Sequence, residues 1–201
     1  MSRLNLCCVL TAGLLAQRLV AEEVAAMADA EVPTLQTATR VEQRAGRETI
    51  RHACFSLGPN KFAFVIPPGF RMDTAGNDKV VLVTSDFSCL ISVRIVPAAS
   101  PEARHEALLT QYSGATILEE LSVSAAGQSG PAFDLQCTTS GVARTARVAF
   151  IPSPAGILEF TLLSNPGQFR ARKSDFDFLL LTLRVGDAKQ ELKIIQFGDQ
   201  S

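Results

Sequence analysis

Residues 131–163 read PAFDLQCTTSGVARTARVAFIPSPAGILEFTLL and contain three strand-like runs of apolar, β-branched and aromatic residues. The runs cover residues 131–139, 142–151 and 157–163. Alternation is clearest in the last run, where three apolar residues share one face: Leu158, Phe160 and Leu162. The connections contain Ser140-Gly141 and a Pro- and Gly-containing turn. Because turns this short join antiparallel neighbours, the segment predicts a three-stranded antiparallel meander.

Similar signals extend the pattern on both sides of the meander. Further strands are predicted at residues 55–57, 62–66, 80–84, 89–96 and 118–124. A helix is predicted to begin at Ser100-Pro101, where a capping hydroxyl precedes a proline at the first helical position. A second helix is predicted after Asn165-Pro166-Gly167. Its apolar face comprises Phe169, Phe176, Leu180 and Leu183.

The composition is that of one packed domain. The chain has 201 residues, of which 47% are hydrophobic and 19% charged. Lys and Arg number 19 and Asp and Glu 20, so the net charge is -1. Nucleic acid is excluded as an expected partner, because a balanced chain has no overall positive field to attract a polyanion.

The amino terminus carries the pattern of a secretion signal. Arg3 precedes an apolar run over residues 4–16, which is too short to span a bilayer. Small residues suited to signal peptidase follow it, with cleavage expected after Ala21, Ala28 or Ala30. This pattern predicts a signal peptide over residues 1–30 and export to the periplasm or the cell exterior. An uncleaved membrane anchor is the alternative, since Gln17 and Arg18 precede the best cleavage sites.

A polar segment, residues 31–52, separates the predicted signal from the predicted domain. It shows no strand pattern, and four of its arginines recur at helical spacing: Arg40, Arg44, Arg47 and Arg51. Because acidic residues and a glycine interrupt this stripe, the segment is interpreted as a solvated linker. The folded domain is then expected over residues 53–186, followed by a tail over residues 187–201.

The cysteines allow at most one internal disulfide after export. Cys7 and Cys8 would leave with the signal, and an odd number would remain: Cys54, Cys89 and Cys137. Cys89 and Cys137 each share a strand face with apolar neighbours, whereas Cys54 lies on the opposite face from Phe55. The best pair for a bridge is therefore Cys89 with Cys137. The alternative is that both are buried free thiols.

The corner FVIPPGF at residues 64–70 ends an opening hairpin, and a single helix follows the next pair of strands. A strand meander closed by a helix with a Phe-rich face comes after it. This order resembles the Mog1/PsbP-like family, in particular its small exported bacterial members, over residues 54–185. The resemblance implies an α+β fold in which an antiparallel sheet carries helices on both faces, an α/β/α sandwich. It also implies an accessory or assembly role rather than catalysis.

Motifs for catalysis or metal binding are missing from the sequence. Its two histidines, His52 and His105, lie in polar stretches, and it contains no CxxC, HxxxH or GxSxG pattern. No catalytic residue, metal ligand or cofactor is therefore expected. One cluster, Arg170, Arg172 and Lys173, lies early in the second helix, where positive charge opposes the helix dipole. We interpret this cluster as a candidate surface for an anionic partner.

Together these features predict an exported, non-enzymatic accessory or binding protein. Its partner is expected to be a protein or a small ligand, with membrane contact only through an uncleaved amino terminus. Two alternatives stay open: a small hydrolase with His105 as base, and a membrane-tethered structural protein.

Overall fold

The computed structural model describes residues 34–43, 49–73, 79–98, 100–112 and 114–186, all within the compact unit Thr34–Ser201. The predicted signal peptide, its cleavage sites after Ala21, Ala28 and Ala30, and the tail at residues 187–201 lie outside the described residues.

The described residues form two antiparallel sheets and two helices. The smaller sheet has the order β1-β2-β3-β11, and the larger sheet the order β4-β5-β6-β10-β9-β8-β7. The strands are β1 Gln36–Gln43, β2 Thr49–Leu57, β3 Asn60–Val65, β4 Phe70–Asp73, β5 Lys79–Thr84, β6 Cys89–Val96, β7 Thr116–Ala125, β8 Gln128–Thr139, β9 Val142–Ser153, β10 Gly156–Ser164 and β11 Arg184–Gly186. The helices are α1 Pro101–Gln111 and α2 Phe169–Thr182.

The predicted meander is confirmed as β8, β9 and β10, which pair antiparallel in chain order. The Ser100 cap is confirmed as well, since its hydroxyl accepts a hydrogen bond from the Ala103 amide at 3.2 Å. Helix α2 begins later than predicted. Gln168 rather than Asn165 precedes its first turn, and no side chain caps the helix.

The larger sheet separates two hydrophobic clusters because side chains alternate along its strands. On β8, Ala132 faces the first cluster, whereas Phe133 and Leu135 face the second. The first cluster lies between the two sheets and α2. It includes all four residues of the predicted apolar helix face, which is thereby confirmed as core: Phe169, Phe176, Leu180 and Leu183. The second cluster includes Leu108 of α1.

The predicted α/β/α sandwich with helices on both faces is wrong. The chain is mostly antiparallel sheet, and its first cluster is covered largely by β2 and β3 of the smaller sheet, with the single helix α2 beside them. Helix α1, of 11 residues, buries only Leu108 fully among its described side chains. Neither face therefore carries a helical layer. Neither of the two described helices is long and apolar enough to cross a membrane.

The expectation that residues 31–52 form a linker without strands is also wrong. Residues Gln36–Gln43 form β1, which pairs along its whole length with β2. Arg40 and Arg51, which recur at helical spacing in the sequence, lie on these two strands. The sequence pattern is weak because β1 is an edge strand of mostly exposed side chains, so it shows little apolar alternation.

Gly130 tests the close approach of β8 to β9. An added Cβ there would lie 1.7 Å from the Phe150 carbonyl oxygen, which belongs to the backbone and cannot move aside. We expect Gly130→Ala to lower the free energy of unfolding by at least about 2 kcal/mol, as overpacking in a sheet does. Urea unfolding followed by circular dichroism measures this.

Gly167→Ala is the matched control, since nothing lies within 4 Å of its added Cβ. Its effect should stay within about 0.5 kcal/mol. Equal losses in the two variants would contradict the close approach.

Candidate interaction surface

The turn between β5 and β6 displays an exposed aromatic ring. The strands predicted at residues 80–84 and 89–96 pair as a hairpin, and the Phe87 amide closes its turn by donating to the Thr84 carbonyl at 3.0 Å. Phe87 has a φ of 56° and is 63% exposed. Because a left-handed backbone is unfavourable for a bulky residue, and the ring is not buried in return, core packing does not account for this conformation.

Asp86 holds the turn in place. Its carboxylate accepts hydrogen bonds from the Ser88 amide at 3.1 Å and the Ser88 hydroxyl at 2.8 Å. Hydrogen bonds from the Thr84 side chain and from Ser88 lower the pKa of Asp86 to about 2. Thr84 Oγ1 also accepts from the Cys89 amide at 3.1 Å. The turn is therefore a defined structure that carries Phe87 in one position.

Arginines from four elements surround this turn. Arg71 of β4 places its guanidinium carbon 5.3 Å from the centre of the Phe87 ring. The Arg172 guanidinium lies 5.7 Å from the centre of the Phe70 ring, and Arg51 donates to the Phe70 carbonyl at 2.7 Å. Phe70 in turn pairs with Thr84 at the edge of the turn.

On the other side of the turn, Arg144 donates to the Asn165 side chain. The Asn165 amide donates to the Ser88 carbonyl at 3.4 Å. We call this surface the basic end and define it as Phe87 with Arg51, Arg71, Arg144 and Arg172. Arg170 is exposed in the first turn of α2, but it lies two residues from Arg172 and therefore points to the other flank of the helix. Two carboxylates lie beside the basic end: Asp86 in the turn and Asp175, whose Oδ2 is 3.1 Å from Arg172 Nη1.

The structure divides the predicted cluster of Arg170, Arg172 and Lys173. Lys173 points away from the basic end, because its ammonium lies 3.1 Å from Asp134 Oδ2 on β8. Arg172 belongs to the basic end but is partly neutralised by Asp175. Arg170 is the exposed member. That the cluster forms a surface for an anionic partner stays a prediction.

Beneath α2 lies a buried ionic cluster that attaches the helix to the larger sheet. Arg147 of β9 donates to both carboxylate oxygens of Asp134, at 2.7 and 3.0 Å. Asp177 of α2 accepts from Arg147 at 3.3 Å. Burial acts to lower the pKa of Arg147. The hydrogen bonds that Arg147 donates to Asp134, and the negative charges of Asp134 and Asp177, outweigh burial and raise this pKa. Arg147 therefore stays charged, and the cluster sets where α2 lies.

Cys89 and Cys137 are not bridged, and the alternative that both are buried free thiols is confirmed. Their strands, β6 and β8, are separated by β10 and β9, which places them about 14 Å apart at ordinary strand spacing. The two side chains also belong to clusters on opposite faces of the sheet. A disulfide needs Cα atoms within about 7 Å. Burial raises the pKa of Cys89 to about 11 and raises that of Cys137, as expected of inert thiols.

The histidines were expected on the surface, and both are partly buried. His52 lies on β2, with Nε2 3.2 Å from Glu42 Oε2 on β1. The neighbouring thiol, Cys54, has a pKa raised by burial. His105 packs on the sheet, its ring centre 5.8 Å from that of Phe133, and its Nε2 is buried without a hydrogen-bond partner. A substrate cannot reach that nitrogen while α1 is packed.

Most of the basic end was missed by sequence analysis. Phe87 follows Ser85-Asp86 in a recognisable turn, and an aromatic residue at that position was a usable signal for an exposed ring. Arg51, Arg71 and Arg144 carry no such signal, because they are far apart in the chain and meet only when the sheets form.

Replacing Arg147 tests the buried cluster. Arg147→Met leaves the Asp134 carboxylate buried with only Lys173 as a cation, so we expect a loss of about 3–5 kcal/mol in the free energy of unfolding. The double variant Arg147→Met/Asp134→Leu should regain most of that loss, since no buried charge is left unpaired. Urea unfolding measures both. The control Arg184→Met, at an exposed position, should change little, and a loss of similar size there would contradict the assignment.

Replacing Ser88 tests the turn. Ser88→Ala removes one hydrogen bond to Asp86, so the pKa of Asp86 should rise from about 2 toward 3.8. Because the folded pKa is depressed, stabilisation of the turn by Asp86 is complete above 3.8 and is lost as the pH falls through about 2. Carboxyl carbon NMR titration measures this shift. Ser85→Ala should leave the pKa of Asp86 unchanged, and the same value in all three proteins would refute the role of Ser88.

No protein-family model matches the sequence, and no curated protein is significantly similar to it. Solved structures of similar fold include the PsbP protein CyanoP from Synechocystis sp. PCC 6803. The two share 13% identity and a TM-score of 0.48, over 79% of this chain and 96% of CyanoP.

Two further structures are similar. LpqN of Mycobacterium tuberculosis, involved in cell envelope biogenesis, shares 11% identity and a TM-score of 0.43, over 75% of this chain and 91% of LpqN. A Bacteroides thetaiotaomicron protein shares 10% identity and a TM-score of 0.47, over 65% of this chain and 47% of that one. All three similarities have sequence identities of 13% or less and TM-scores below 0.5.

Proposed function

We propose that this chain is an exported accessory protein that acts by binding, without catalysis, and that the basic end is its binding surface. The main observation that supports this proposal is the conformation of Phe87. It is an exposed ring on an unfavourable backbone conformation, held by a network of hydrogen bonds to Asp86. Strained residues that the surrounding structure holds in place occur mainly at functional sites.

The composition of the basic end supports binding. Aromatic residues and arginine are the types that contribute most to the energy of protein interfaces. Four arginines and two carboxylates lie here, so the surface favours an anionic partner although the whole chain has a net charge of -1. Export is supported by the signal-like sequence at residues 1–30.

The hydrolase alternative has less support. A general base needs its nitrogen within hydrogen-bond reach of the substrate proton. The Nε2 atom of His105 is buried against the sheet, where the nearest aromatic ring is that of Phe133. His105 is therefore placed as a packing residue rather than as a general base.

Photo-cross-linking in the producing cell tests the proposal. The full chain is expressed with p-benzoylphenylalanine in place of Phe87, and adducts are sought in the exported fraction. We expect the mature chain, cleaved between residues 21 and 31, to form one dominant adduct with a protein or a lipid.

Leu181 provides the matched control, because it is 74% exposed and lies near the opposite end of α2 from Arg170. The same photoreactive residue at position 181 should not give that adduct. Recovery of the chain only in the cytoplasm, or equal adducts from both positions, would overturn the proposed function.

A further inference from the structure

We propose that the basic end binds the surface of an anionic lipid bilayer, with the Phe87 ring in the headgroup region and the arginines on lipid phosphates. This inference rests on the proposed function and specifies the partner. It differs from a membrane anchor at the amino terminus, because the contact is made by the folded domain itself.

The shape of the apolar part favours a bilayer. Phe87 is one ring at the tip of a hairpin turn, and its neighbours Ser85 and Asp86 are polar and exposed. A specific protein interface buries about 800 Å² on each side around a packed centre. A single ring offers much less apolar area than that, whereas a bilayer takes up an isolated aromatic side chain without a shaped pocket.

The positions of the charges fit a flat anionic surface. Arg71 lies against the Phe87 ring itself, and Arg172 lies against Phe70, which pairs with the edge of the same turn. Arg51 and Arg71 are exposed. Guanidinium groups bind phosphate oxygens in a bidentate manner. Each arginine near an anionic membrane strengthens binding roughly fivefold.

The two nearby carboxylates do not cancel this attraction. Asp175 is paired with Arg172 at 3.1 Å. The Asp86 carboxylate accepts hydrogen bonds within the turn, where its charge holds Phe87 in position. Because the remaining arginines outnumber these carboxylates, the surface keeps a positive excess.

Vesicle co-sedimentation tests the proposal with mature protein purified from the exported fraction. One set of vesicles contains phosphatidylcholine alone, and the other contains phosphatidylglycerol and phosphatidylcholine in equal amounts. We expect binding to the mixed vesicles only, weakened by salt because surface charges are screened. Phe87→Ser should weaken binding about tenfold through lost apolar transfer. Arg71→Glu should weaken it at least as much, because Arg71 lies against the Phe87 ring and the change alters the local charge by two units.

Matched controls are Leu181→Ser and Arg184→Glu, which alter an exposed apolar residue and an exposed arginine outside the basic end. Both should bind as the unaltered protein does. No binding to mixed vesicles, or equal losses in the controls, overturns the lipid assignment. If vesicle binding fails while photo-cross-linking from position 87 yields a protein adduct, the proposed function stands and the partner is a protein. If both fail, the proposed function falls as well.

Discussion

The alternation of side chains along the larger sheet is the constraint from which the rest of the fold follows. Strands β8, β9 and β10 place apolar residues on both faces, so each face has to be covered. The smaller sheet and α2 cover one face, while α1 covers part of the other. The two clusters share no side chain, because a residue on a strand points to one face only. For the same reason Cys89 and Cys137 cannot meet.

Ionic contacts then fix where each helix lies on its face. On the first face, Asp134 and Arg147 are nearly inaccessible to water and receive Lys173 and Asp177 from α2. On the second face, Arg94 bonds to Glu159 at 2.8 Å and to Gln111 of α1 at 2.7 Å. Buried pairs of this kind add little net stability compared with apolar residues, but a misplaced helix would leave a charge unpaired. These pairs therefore mainly determine where each helix lies on the sheet.

The position of α2 also determines which of its charges reach solvent. With Lys173 held against Asp134, the helix presents Arg172 to Phe70, which pairs with Thr84 at the edge of the turn that carries Phe87. The basic end thus depends on contacts made within the core beneath it. The basic end is therefore ordered in the free chain, and such order would reduce the entropy lost on binding the partner proposed for it.

Local patterns in the sequence determined most of the elements of this protein. Apolar alternation located β8, β9 and β10, the hydroxyl and proline at Ser100-Pro101 located α1, and the spacing of Phe169, Phe176, Leu180 and Leu183 identified the buried face of α2. Each of these signals depends on residues close together in the chain.

The tertiary structure alone decided that β1 is a strand, since an exposed edge strand has no apolar period and is held by its pairing with β2. It also decided that a second sheet, rather than a helical layer, covers the first cluster. It decided as well that arginines from β2, β4, β9 and α2 contact Phe87, Phe70 or Asn165 around the turn between β5 and β6. Such neighbours are distant in sequence, and only the pairing and packing of whole elements brings them together.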